Sequence, residues 1–268
     1  MFAYYGPEWE SLESRMVDRW CTSFSGNTGL QLPSTMGRNH GTLTNFSNNG
    51  NDAYVSSPDR LALNFDGVND RVECGAIGSF LGDCTWSCWF RHTATGADQC
   101  LMTTRNILTG AARNGVAIYL RGAGLPTVEA EFVIGGTRYT ATINGSTANG
   151  RWYLAVARRV RGTCFLDVPG LGLASSASSS TATITHEVGP TFGLWRDYSL
   201  EAFSVQLDDI TIFNAALTSN EIRFIYEQGR GGGMLYQPPR RRSYFVAPVS
   251  GWKPYWIRPS SKLIGTGI

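Results

Sequence analysis

Val128-Glu129-Ala130-Glu131-Phe132-Val133-Ile134-Gly135-Gly136-Thr137-Arg138-Tyr139-Thr140-Ala141-Thr142-Ile143 sets two β-favouring runs on either side of a Gly-Gly pair. Two-residue hairpin loops need positive φ at their centre, which glycine adopts without steric cost. The spacing predicts an antiparallel pair. Working outward, short β-like runs separated by turn residues occupy 61–65, 71–74, 85–91 and 116–121 on one side. On the other side they occupy 152–160, 164–168, 181–185 and 202–213. The run 85–91 alternates apolar and polar residues up to its end. Roughly a dozen short strands without alternating helices predict an all-β antiparallel sandwich or barrel. Residues 24–60, rich in Gly, Asn, Ser and Thr, read as loops, and so does the Ser/Ala segment 174–180. One helix is expected. Thr218-Ser219-Asn220-Glu221 fits a capping box, Ile222, Ile225 and Tyr226 share a face behind it, and Gly229 with Gly231-Gly232-Gly233 ends it.

The chain has 268 residues, 42% hydrophobic and 16% charged, enough apolar material for a sizeable core. No window approaches the ~18 apolar residues of a membrane-spanning helix. The start, Met1 to Glu8, lacks the basic and apolar regions of a secretory signal, so synthesis and retention in a cytoplasm are expected. Six cysteines (Cys21, Cys74, Cys84, Cys88, Cys100, Cys164) lack zinc-site spacing and read as buried, reduced thiols.

Charge divides unevenly. From Gly229 onward there is no Asp or Glu, while Arg230, Arg240, Arg241, Arg242, Lys253, Arg258 and Lys262 give +7. Residues 1–228 carry 16 basic and 21 acidic groups, a net −5. The expected organisation is a sandwich over 1–228, with an N-terminal extension 1–14, and an extended docking arm over 229–268. In the arm, Pro238-Pro239 stiffens the path, and Tyr244, Phe245, Trp252, Tyr255 and Trp256 offer apolar anchors beside Arg230, Arg240, Arg241, Arg242 and Arg258. An extended peptide of this kind suits docking on an acidic protein surface more than nucleic acid.

The stretches 37–45 (Gly-Arg-Asn-His-Gly-Thr-Leu-Thr-Asn), 63–75 (Leu-Asn-Phe-Asp-Gly-Val-Asn-Asp-Arg-Val-Glu-Cys-Gly) and 207–222, opening Leu207-Asp208-Asp209-Ile210, resemble the laminin-G-like, concanavalin A-like jelly-roll family. Trp86-Ser87-Cys88-Trp89-Phe90 and Trp152-Tyr153-Leu154-Ala155-Val156 look like two of its inner strands. The resemblance, over about residues 15–228, implies an antiparallel two-sheet jelly-roll sandwich, a fold that hosts lectins, glycosidases and assembly modules. The basic tail resembles those of laminin-G-like proteins of tailed bacteriophages. That implies a virion protein, made in the host cytoplasm.

Family glycosidases present Glu-x-Asp-x-x-Glu on one strand, a string absent here; Glu129-Ala130-Glu131 reads instead as two carboxylates on a solvated face. His40, His92 and His186 lie near no Ser or Cys nucleophile motif. A non-enzyme is expected. No cofactor is expected beyond one structural calcium, for which the resemblance implies Asp66, Asp208 and Asp209 as ligands, although Pro33-Ser34-Thr35-Met36 supplies no Asp where relatives carry one. Asp66 and Asp70 also suit turn capping. Trp86, Trp89 and Trp152 read as core residues, leaving Trp195 with Arg196 and Tyr198 as the glycan-stacking candidate. The leading expectation is a capsid decoration protein whose arm docks on a major capsid or tail protein. The alternative is a lectin-like module for host-surface glycans. Homo-oligomers fit either reading, and no membrane partner is expected.

Overall fold

The computed structural model describes residues 7–22, 30–47, 53–56, 61–92, 98–105, 114–122, 126–145, 147–193 and 204–229. In chain order the elements begin α1 (Pro7–Ser14), β1 (Met16–Trp20), β2 (Gln31–Leu32), β3 (Gly41–Thr44), β4 (Tyr54–Ser56), β5 (Leu61–Phe65), β6 (Arg71–Glu73), β7 (Cys84–His92) and β8 (Gln99–Thr103). They continue β9 (Gly115–Arg121), β10 (Thr127–Ile134), β11 (Thr137–Ile143), β12 (Tyr153–Val160), β13 (Thr163–Val168), β14 (Gly172–Ser179), β15 (Thr191–Phe192), β16 (Val205–Phe213) and α2 (Ser219–Gly229). The expected arm residues, Arg230 to Arg258, lie outside the described residues, as do Trp195, Arg196 and Tyr198.

Two eight-stranded antiparallel sheets face each other. The first runs β14-β13-β12-β7-β16-β5-β4 with β1 added against β16; the second runs β11-β10-β9-β8-β15-β6-β3-β2. The β10–β11 hairpin forms as expected: Ile134 pairs Thr137, and φ is 57° at Gly135 and 79° at Gly136. Alternation then decides the layers. Val128, Ala130, Phe132 and Ile134 of β10 meet Trp86, Cys88 and Phe90 of β7 in one buried core.

The first sheet also has apolar residues on its outer face. Trp89 of β7, Leu154 and Val156 of β12 and Phe213 of β16 pack under Leu12 of α1 and under Leu217, Ile222 and Ile225 around α2. Burial on both faces overrides the alternation read in 85–91. Trp86 lies in the central core as expected, but Trp89 stacks on Tyr226 of α2, with ring centroids 5.7 Å apart, and Trp152 is half-buried beside this second cluster. The capping box also forms: Thr218 N donates to Glu221 Oε2 (2.7 Å) and Glu221 N to Thr218 Oγ1 (3.3 Å).

Four expectations need correction. Within 24–60, residues 31–32, 41–44 and 54–56 are strands rather than loops. The Ser/Ala segment is edge strand β14, whose Ala174 pairs Leu166; partnering by β13 outweighs weak β propensity, and short polar side chains suit a sheet edge. Residues 181–185 form no strand, only the isolated bridge of Ile184 to Phe80. The N-terminal extension contains helix α1, which opens with Pro at its first position. The six thiols are free and buried.

Candidate ligand-binding site

Two segments leave the second sheet side by side: 74–80, after β6, and 184–190, before β15. They are bonded at both ends. Cys74 N donates to Pro190 O (2.8 Å), while Phe80 and Ile184 exchange both main-chain bonds (2.9 and 2.8 Å). At the Cys74 end the backbones touch: a Cβ on Gly189 would stand 2.6 Å from Gly75 O and nearer still to Cys74 O, so only glycine fits. At the Phe80 end the buried Arg159 guanidinium acts as a pin, donating to Gly82 O, Ala182 O (2.5 Å) and Phe80 O (3.3 Å). Between these fastenings the segments part. They enclose a hollow of ≈ 460 Å³ lined by 74–79 and 186–189, a size typical of small-molecule pockets.

His186 lines the hollow with its ring wedged between Phe80 (centroids 5.2 Å) and Trp86 (5.3 Å). Its Nδ1 lies 2.8 Å from Thr104 Oγ1, which also accepts from Val116 N (3.0 Å). Its Nε2 is buried and has no hydrogen-bond partner among the described residues. Burial penalises the imidazolium and pulls the His186 pKa down to about 4. Between this value and the unfolded pKa of about 6.5, the unfolded chain binds the extra proton, so stability falls as pH drops through that window. His186→Asn should remove up to about 3 kcal/mol of the stability difference between pH 7 and pH 4, measured by urea denaturation at both. An identical pH dependence in both proteins would show that His186 does not titrate in this way.

The outer face of the second sheet is an ionic lattice. Glu131 is 2% exposed and pairs with Arg105, with Arg138 (3.2 Å) and with Arg121 (3.7 Å). Arg121 also bridges Glu129 (3.0 Å) and Asp98 (2.6 Å), and its guanidinium lies 4.0 Å from the centre of the buried Tyr119 ring. The expectation of a solvated Glu129/Glu131 pair is therefore corrected. Both carboxylates share a face, but arginines from β8–β9 and β11 pair with them. Burial pushes the Cys84 thiol up to about 11 and the Cys88 thiol to about 12, which keeps both protonated at neutral pH.

A sequence profile described as the concanavalin A-like lectin/glucanases superfamily, of laminin-G type, matches residues 49–223. The chain belongs to that superfamily. Among solved structures, its superfamily jelly-roll superposes on a botulinum neurotoxin serotype D ligand-binding domain in complex with N-acetylneuraminic acid (TM-score 0.57, 11% identity, 83% of this chain and 53% of that one). It also superposes on the binding domain of Paraclostridial mosquitocidal protein 1 (0.54, 15%, 80% and 52%) and on Trypanosoma rangeli sialidase (0.53, 12%, 80% and 33%). These likenesses show the fold, and this chain spans about half the length of the toxin chains and a third of the sialidase. No curated protein matches significantly.

Within the superfamily fold, the three expected calcium ligands do not converge. β16 pairs first with β5 (Val205 to Phe65) and then with β1 (Ile210 to Trp20), and it changes neighbour at Asp208-Asp209. Asp209 there has φ 51° and binds the buried Arg19, whose Nε donates at 2.8 Å. Burial alone would lower the Arg19 pKa, but the Asp209 carboxylate more than offsets this and keeps the guanidinium charged. Asp208 accepts from Thr22 N (3.2 Å) and Oγ1 (2.9 Å). Asp66 caps its own turn by accepting from Val68 N (2.8 Å), beyond the Val205 end of β16 and on the order of 10 Å along the strand from Asp208. With a guanidinium already on one carboxylate, the set does not fit a shared Ca²⁺, which needs six to eight oxygens. No group of three or more metal-ligating side chains occurs among the described residues. Sequence reasoning missed the 74–79/186–189 hollow; the clustered Gly75, Gly78 and Gly189 were the available signal.

Proposed function

We propose that the chain is a non-enzymatic carbohydrate-binding module. The hollow carries this reading: on a lectin-like jelly-roll it offers a ≈ 460 Å³ recess walled by peptide groups, small and apolar side chains, the Glu187 carboxylate and the His186 ring. Lectins need hydrogen-bonding walls of this kind to match sugar hydroxyls. Hydrolysis needs a free acid–base pair, and the one same-face carboxylate pair singled out in the sequence is neutralised by arginine. A glycan array probed with the full chain should give concentration-dependent binding to a defined set of glycans. An empty array at micromolar protein would end the proposal.

The charge split favours a second role for the arm. A +7 segment without acids, following a −5 body, suits docking on an acidic partner such as a capsid or tail protein. Since Gly229 is buried against the Trp89 ring, the truncation that tests this should remove 230–268 only. The shortened chain should keep glycan binding and lose at least about 90% of its incorporation into virus particles, the loss expected when a main anchor is removed. Full incorporation would rule out the arm as the anchor, and salt-sensitive DNA binding by the arm alone would replace the protein partner with nucleic acid.

A further inference from the structure

The hollow is unusual for where its hydrogen-bonding groups come from. An antiparallel ribbon joined at Cys74–Pro190 and Phe80–Ile184 would ordinarily pair its middle as well. Here the middle is open. Gly75, Ala76, Ile77, Gly78 and Ser79 make no hydrogen bond to the described chain, and all but Ile77 are exposed. Ile77 packs on the central core, giving the recess an apolar floor beside its peptide rim. Such groups remain hydrated when empty and are ready to exchange water for ligand hydroxyls.

Charge narrows the ligand further. Among the described residues no Lys or Arg lines the recess, and the charged side chain there is Glu187, an acid. An anionic sugar would meet that carboxylate and no cation among the described residues.

We infer that the opening between 75–79 and 186–189 binds a neutral, hydroxyl-rich ligand of one or two sugar rings, recognised chiefly by main-chain groups of 75–79. This deepens the carbohydrate-binding reading and rests on it. The specificity therefore opposes that of a neighbour solved with N-acetylneuraminic acid.

The test uses the full chain and saturation-transfer NMR with methyl glycosides of galactose, glucose, mannose and N-acetylglucosamine, alongside N-acetylneuraminic acid. At least one neutral glycoside should bind at least about tenfold more tightly than N-acetylneuraminic acid, a difference of about 1.4 kcal/mol. Ala76→Trp, which fills the recess from an exposed position, should weaken that binding at least tenfold with an unchanged melting temperature. If this variant fails to fold, Ser79→Trp, also exposed, replaces it. Tighter binding of N-acetylneuraminic acid overturns the ligand class. Neutral binding that survives Ala76→Trp but is lost in Trp195→Ala overturns the location and leaves the carbohydrate reading standing. Absence of any binding to both these sugars and the array overturns both.

Discussion

Arg19→Met is expected to destabilise the fold by about 3–5 kcal/mol, the typical cost of leaving one half of a buried ion pair without the other. Arg19 and Asp209 are 2% and 4% exposed, so water cannot replace the lost guanidinium. The pair also sits where β16 exchanges β5 for β1, so its loss frees both the strand junction and the N-terminal strand. Adding Asp209→Asn to Arg19→Met should recover at least half of the loss. The amide removes the stranded charge, and asparagine tolerates the left-handed conformation at this position. Urea denaturation of the three variants measures this, and a single-variant loss under about 1 kcal/mol would contradict the argument.

Gly189→Ala should cost about 3 kcal/mol, near the upper end for overpacking, because the atoms met by the new methyl are main-chain carbonyls of Cys74 and Gly75 rather than a movable side chain. The 184–190 segment must retreat, stretching the bond from Cys74 N to Pro190 O. Hydrogen exchange should accordingly speed up at the Cys74 amide far more than at Phe80, which the Arg159 side of the hollow holds independently. Equal acceleration at both would point to global loosening instead.

The sequence revealed those elements whose cause is local. Gly135-Gly136 fixes a hairpin within two residues, and Thr218 with Glu221 closes a helix end within four, so both were readable. Where a distant partner decides the structure, reading failed. Ser and Ala in β14 carry little β preference of their own and are strand because Phe165 and Leu166 pair with them. Glu131 is buried because Arg105, 26 positions away, reaches it, and β7 is buried on both faces because α2 returns to cover it. Asp208-Asp209 was visible as a pair, but its partners Arg19 and Thr22 lie almost a whole chain away, which turns an apparent ligand set into a strand junction. Pro7 followed by Glu8 and Glu10 was a usable sign of α1.

The junction on β16 also orders events during synthesis. β1 finds its only described partner strand 190 positions later, at the Arg19–Asp209 contact. At ribosomal speeds of about 5–20 residues per second, the emerging N-terminal strand waits roughly 10–40 s for it. Throughout that delay Trp20 and the β7 flank that β16 will occupy stay exposed as adhesive edges. A ribosome stalled before codon 205 should therefore yield a chaperone-dependent, aggregation-prone chain even though most of the strands have already been made.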